Sequence, residues 1–207
     1  MLRTISLAVW LVAVAVGSAT LSATLAADGT IVVLGDSNAA GFGVAATEAF
    51  PAQLERDLRQ RGHTTKVINA GVPGDTFGGL AKRVDGSVPK SASLVIVQAG
   101  YNDRATGVPP DTTIANMRSV LEKLHGRHQK AVLCGFFDRK WDAIGRKLAA
   151  TYQARFVPGS TCYDPSHRGP DGLHMSAAGH EVVARRLAQA LSGGAAATRA
   201  RHGKHAR

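Results

Sequence analysis

The sequence predicts an α/β protein, a three-layer α/β/α sandwich built on a five-stranded parallel sheet. Three observations carry that expectation. Five short apolar runs alternate with stretches of helical periodicity. The first run, Ile31-Val32-Val33-Leu34, has no polar residue to face water, as in a strand covered on both sides. The chain of 207 residues shows no internal repeat and no interdomain linker, which fits one domain with a full core.

Taken in order, the first strand ends where Gly35 breaks the apolar run, leaving Ser37 at its carboxyl edge. Phe50, Leu54 and Leu58 then recur at helical spacing, with Pro51 suited to a first turn and Gly62 closing the helix. Residues 66–70 form a second strand that stops at Gly71-Val72-Pro73-Gly74, and 76–84 a short helix. A third strand covers 94–98. Asp111 is expected to cap the helix whose inner face is Ile114, Met117, Leu121 and Leu124. Residues 131–137 form a fourth strand, and Trp141, Ile144, Leu148 and Tyr152 mark the next helix. A short fifth strand at 155–157 precedes a last helix, capped by Ser176 and carrying Val183, Leu187 and Leu191. Right-handed crossovers put helices on both faces of such a sheet.

Both chain ends are expected to lie outside this domain. Arg3 and the apolar stretch 5–16, followed by Ser22-Ala23-Thr24-Leu25-Ala26-Ala27, predict an export signal over residues 1–26, with an uncleaved anchor as the alternative. Residues 27–192 are the folded domain. Residues 193–207 lack apolar periodicity and carry Arg199, Arg201, Lys204 and Arg207, which predicts a disordered basic tail. Those four charges and Arg3 make up about half of the formal net charge of +10, so the folded part is only moderately basic. The tail is expected to be solvated, and contact with an anionic membrane or polyanion is its alternative use. No specific nucleic-acid partner is expected, and the domain is expected to be a monomer. Export would put Cys134 and Cys162 where a disulfide persists, but their spacing leaves both a bridge and two separate thiols open.

The chemistry is expected where the strands end. Four such segments supply Ser37, then Gly74, then Asn102 within Gly100-Tyr101-Asn102-Asp103, then Asp171-Gly172-Leu173-His174. A serine hydroxyl is a weak nucleophile until a base takes its proton, and an imidazole exchanges protons near neutrality. His174 is therefore the expected base, and Asp171, three residues earlier, can orient it if the segment makes one turn. Backbone N–H groups of Ser37 and Gly74 and the amide of Asn102 are the expected donors to a tetrahedral oxyanion. Asp36, Asp75 and Asp103 are expected to cap helices and bond loops. Ser37 lacks the G-x-S-x-G context, because Ala39 stands at the second glycine, and Gly35 to Gly43 lacks a Walker ending. His125 and His128 read as a solvated helix end, His180 as structural or exposed, and His167 as a minor candidate for the pocket wall.

Taken together, Gly35-Asp36-Ser37, Gly74-Asp75-Thr76, Gly100-Tyr101-Asn102-Asp103 and Asp171-Gly172-Leu173-His174 resemble the four blocks of the SGNH, or GDSL, hydrolases. The bacterial periplasmic thioesterase I/lysophospholipase type is the most similar. The resemblance covers about residues 27–191, with Asn38 where the family name has leucine. It implies a flavodoxin-like sheet, no metal or other cofactor, and serine-dependent hydrolysis of carboxylic esters or thioesters of small molecules or lipids. It assigns Ser37, Asp171 and His174 to the triad and Ser37, Gly74 and Asn102 to the oxyanion hole. Phe42, Phe77, Tyr101 and Val108 are expected around the cleft, suiting short to medium acyl groups. Two alternatives differ in kind: an O-acetyl esterase or acyltransferase acting on envelope polysaccharide, and a non-enzymatic binder of anionic surfaces.

Overall fold

The computed structural model describes residues 29–202, with side chains to residue 192. Five strands, β1 (Thr30–Gly35), β2 (Lys66–Gly71), β3 (Ala92–Gln98), β4 (Lys130–Cys134) and β5 (Arg155–Val157), form one sheet in the order β2-β1-β3-β4-β5. Every pairing is parallel. The expected fold class is thus the one observed. The chain leaves β1 to build β2 on one side and returns to build β3 on the other. The cleft between the carboxyl ends of β1 and β3 is therefore a topological switch point, where ligands collect in open α/β sheets.

Strand alternation assigns the core to two layers. Ile31, Val33, Leu94 and Ile96 face α2 (Phe50–Gln60) and α8 (Ala177–His202), meeting Phe50, Leu54, Leu58, Val183 and Leu187. Val32, Leu34, Val95 and Val97 face α3 (Phe77–Ser87), α5 (Pro110–Gly126) and α6 (Arg139–Thr151), meeting Leu80, Val84, Met117, Leu121 and Leu148. Burying one such side chain contributes about 1.5–3 kcal/mol.

Several boundaries differ from expectation for identifiable reasons. Asp111 is not a cap. Pro109 occupies that position and Pro110 opens α5, while Asp111 sits in the first turn beside the positive end of the helix. The fourth strand stops at Cys134: Gly135 N–H makes the last bond to β5, on the carbonyl of its final residue Val157, and Phe136 N–H then turns away to the Asp142 carboxylate. Phe77 does not border the cleft, being fully buried in the core with its N–H donated to Asp103. The backbone of α8 runs on to His202, into the stretch expected to be a disordered tail, whose Ala-rich composition has high helix propensity. Residues 1–26 of the expected export signal and the last five residues of the tail lie outside the described residues. Three short helices, α1 (Ser37–Ala40), α4 (Tyr101–Ala105) and α7 (Gly159–Cys162), are additional to the expected elements.

Cys134 and Cys162 form a disulfide across a sequence separation of 28 residues, tying the end of β4 to α7. Loop-closure entropy at that separation amounts to about 3–4 kcal/mol.

His180 is structural. It is fully buried, and its Nδ1 accepts the N–H of Phe50 at 3.2 Å. The residue before α2, Ala49, has no side-chain oxygen to cap that helix, so an imidazole from α8 takes one of its unpaired N–H groups. Burial holds His180 down to about 4, from an ordinary value of 6.5. Between those values the unfolded chain binds a proton that the folded chain does not, so stability falls as pH drops through that window. Asp36 works in the opposite sense, because burial raises it from 3.8 to about 6 and the folded state keeps its proton there. The two partly cancel, and the His180 contribution emerges as a difference. Relative to His180→Asn, which keeps an acceptor near Nδ1, the wild type should lose stability as pH falls from 6.5 to 4. Urea midpoints across that range measure it, and parallel curves would refute it.

Candidate active site

Ser37 opens α1 directly after β1. Asp36, extended at φ −94°, caps that helix by accepting the N–H of Asn38 at 3.0 Å, and its own N–H bonds the carbonyl of Gln98 in β3. These bonds hold the hydroxyl at the switch point, where Ser37 is 7% exposed. Burial raises the Asp36 carboxyl to about 6, outweighing the hydrogen bonds from Asn38 and Gln98.

The second component arrives from a loop 137 residues away. His174 Nε2 lies 2.9 Å from Ser37 Oγ, and Nδ1 lies 2.6 Å from Asp171 Oδ2. Asp171 Oδ1 accepts the N–H groups of Leu173 and His174, both at 3.0 Å, so the segment makes the expected single turn. The His174 ring, ahead of those backbone donors, holds the Asp171 carboxyl down to about 2. An ionised carboxylate only accepts, so Nδ1 carries the proton and Nε2 presents a lone pair to the serine hydroxyl. The ring of Phe42 packs against the imidazole with centroids 4.6 Å apart.

That loop is tied to the body of the protein. Gly169 N–H bonds the His174 carbonyl, Ser176 N–H bonds the His167 carbonyl, and Tyr163 Oη donates to the Leu173 carbonyl at 2.7 Å. The buried Asp164 carboxylate joins His167 Nδ1 and Arg186 of α8. His167 therefore braces the loop and does not line the cleft.

The expected oxyanion donors come from two further strand ends. Val72 to Asp75 form a turn closed by Asp75 N–H on the Val72 carbonyl, with Pro73 and Gly74 at its centre. Gly74 has φ +80°, which a side chain would oppose. One N–H of the Asn102 amide donates to the Asp75 carbonyl at 2.8 Å, and the second is left for another acceptor. Asp75 and Asp103 are loop-bonding residues, as expected. Ser37, Gly74, Asn102 and His174 line one cleft of about 1340 Å³, with Phe42, Tyr101 and Val108 also at its wall. All five expected site residues are thus grouped around it, Asp171 through its bond to His174. The sequence reading missed Tyr163 and Arg83. Only the eight-residue interval from Asp75 to Arg83, about two helical turns, hinted at the latter. Among the described residues no group of three or more His, Cys, Asp or Glu is arranged to hold a metal, and no helix is long and apolar enough to cross a membrane.

The chain is similar to known proteins. A family profile described as "GDSL-like Lipase/Acylhydrolase family" matches residues 33–182. The chain is 32% identical to "Esterase TesA" of Pseudomonas aeruginosa over 111 residues, 53% of this chain, and spans about half (55%) of that relative's length. It is 28% identical to "Arylesterase" of Vibrio mimicus over 185 residues, 83% of this chain and 92% of that one. Among solved structures, AlinE4, described as an SGNH-hydrolase family esterase, superposes with a TM-score of 0.63 at 31% identity, covering 83% of this chain and 96% of the other.

Proposed function

Because the chain belongs to the GDSL-like lipase/acylhydrolase family, we propose that it is a serine esterase that cleaves carboxylic ester or thioester bonds through an acyl-enzyme on Ser37. The observation that carries this reading is the continuous chain of bonds from Asp171 through His174 to the Ser37 hydroxyl. Ser37 Oγ attacks the ester carbonyl while His174 Nε2 takes its proton, and Asp171 stabilises the imidazolium that results. The negative charge on the carbonyl oxygen is received by the N–H groups of Ser37 and Gly74 and by the free N–H of the Asn102 amide. Removing one such donor costs about 2.7–4 kcal/mol of transition-state stabilisation. The proton returns to the leaving alcohol or thiol, and water, deprotonated by the same imidazole, releases the acid.

The substrate group that enters the cleft is apolar in this proposal. The exposed large hydrophobic side chains among the described residues are Phe42, Val72, Tyr101, Phe137 and Leu173. Four of them line the cleft, and Val72 stands two residues before Gly74. Such a collar favours an acyl or aryl group over a hydrated sugar. A short to medium chain is the expected optimum in a series of p-nitrophenyl esters. A clear long-chain optimum would overturn the length preference. Release of acetate from acetylated polysaccharide with no turnover of the series would overturn the apolar substrate altogether. The proposal includes export, supported by the disulfide, which persists in oxidising compartments, and by the leader-like composition of residues 1–26.

A further inference from the structure

We propose that Arg83, on the helix beyond the cleft, is a positioning residue that holds the three oxyanion-donor segments in register. The inference rests on the assignment of Ser37, Gly74 and Asn102 as those donors. Arg83 touches none of the reacting atoms. Its guanidinium, however, bonds directly to the segments that carry Ser37 and Gly74, and reaches Asn102 through Asp75.

Four bonds define the arrangement. Arg83 Nη2 donates to the carbonyl of Gly35, two residues before Ser37, at 2.9 Å. Nη1 donates to the carbonyl of Ala70 in β2, just before the Gly74 turn, at 2.8 Å. Nε pairs with Asp75 Oδ2, next to Gly74, at 2.7 Å. Asp75 uses its other carboxylate oxygen for the Thr76 N–H and its backbone carbonyl for the Asn102 amide. Arg83 is therefore one bond from the Ser37 and Gly74 segments and two from Asn102. A fourth contact, Nη1 to Ser87 Oγ at 3.4 Å, steadies the guanidinium along its own helix.

The chemistry suits arginine and no other side chain. A planar guanidinium offers five N–H donors in fixed directions and stays charged, whereas an ammonium is a point charge that cannot reach three acceptors in this geometry. The pair is mostly enclosed, with side-chain exposures of 21% for Arg83 and 10% for Asp75, so solvent screens it little. Space has been cleared for it as well. A Cβ on Gly79, one turn before Arg83 on the same helix face, would fall 1.6 Å from Asp75 Oδ1. Preorganised donors matter because they need no rearrangement as charge develops, and a shift of about 1 Å costs about 100-fold in rate.

The test is a set of Arg83→Lys, Arg83→Ala, Asp75→Asn and Asn102→Ala variants, with Arg83→Ala/Asn102→Ala combined. Each is assayed on p-nitrophenyl esters, with rates expressed per active site titrated by fluorophosphonate. Arg83→Lys and Arg83→Ala should lower kcat by about 10- to 100-fold with KM changed by less than about threefold, within the range of a displaced donor. The acid and base limbs of the pH profile should stay where they are, because His174 and Asp171 are not touched. The combined variant should be slower than Asn102→Ala, because the Ser37 and Gly74 donors remain to be displaced, but by a smaller factor than Arg83→Ala costs alone, because the Asn102 donor is already gone. Should Arg83→Ala fail to fold, Arg83→Lys and Asp75→Asn carry the same expectation. Unchanged kcat per titrated site in folded Arg83→Lys, or fully multiplicative losses in the combined variant, would overturn the role of Arg83. An Asn102→Ala variant as fast as wild type would overturn the oxyanion assignment itself, and this inference with it.

Discussion

Ser37→Ala should abolish ester turnover and fluorophosphonate labelling together, a loss on the order of 10⁶ in kcat where nucleophile and base act as a unit. The expectation follows from the 2.9 Å contact between Ser37 Oγ and His174 Nε2. Without the hydroxyl, the imidazole has no proton to take, and the oxyanion donors receive no tetrahedral intermediate. Stability should change little, since the substitution removes one oxygen from a residue at the cleft while the Asp36 cap of α1 is retained. Intact-mass analysis should show one phosphonyl adduct on the wild type and none on the variant. An adduct on Ser37→Ala, or turnover within about a hundredfold of wild type, would remove Ser37 from the mechanism.

Asp171→Asn should lower kcat by about 10⁴ through the identity of the proton on a ring that has hardly moved. The introduced amide can still accept from the N–H groups of Leu173 and His174, which now bond Asp171 Oδ1. Its NH₂ then faces His174 Nδ1, where the wild-type carboxylate accepts at 2.6 Å. A donor there forces the lone pair onto Nδ1 and the proton onto Nε2, which turns a proton against the serine hydroxyl. The His174 ring holds Asp171 down to about 2 in the wild type, so the group is ionised at all higher pH. The measurement is kcat for both proteins from neutral to mildly alkaline pH. Retention of more than a tenth of wild-type activity would show that the carboxylate neither orients nor stabilises the base.

Much of this was legible without coordinates because it is written over short intervals. An apolar run such as Ile31 to Leu34 has no polar residue to turn outward, so a strand covered on both faces follows from four residues. The spacing of Asp171 and His174 permits a contact within one turn, and that contact forms. Other features depend on partners that no local pattern names. Phe77 looks like a cleft residue by its position after Gly74, yet α3 turns it into the core, where Asp103 receives its N–H. Asp111 resembles a cap, but two prolines before it open the helix first. The end of β4 is decided by β5, whose three residues leave nothing beyond Val157 to continue the pairing.

The amino-acid sequence by itself determined the strand and helix periods, the five residues of the expected site and the resemblance they carry. These reside in residue type and in spacings of a few positions, where backbone preference and side-chain chemistry act directly. Only the tertiary structure decided that residues 37 and 174 stand 2.9 Å apart, that Cys134 meets Cys162, and that Arg83 reaches Gly35, Ala70 and Asp75. Each of those distances is set by strand order and crossover packing, which bring together groups that no local interaction along the chain constrains.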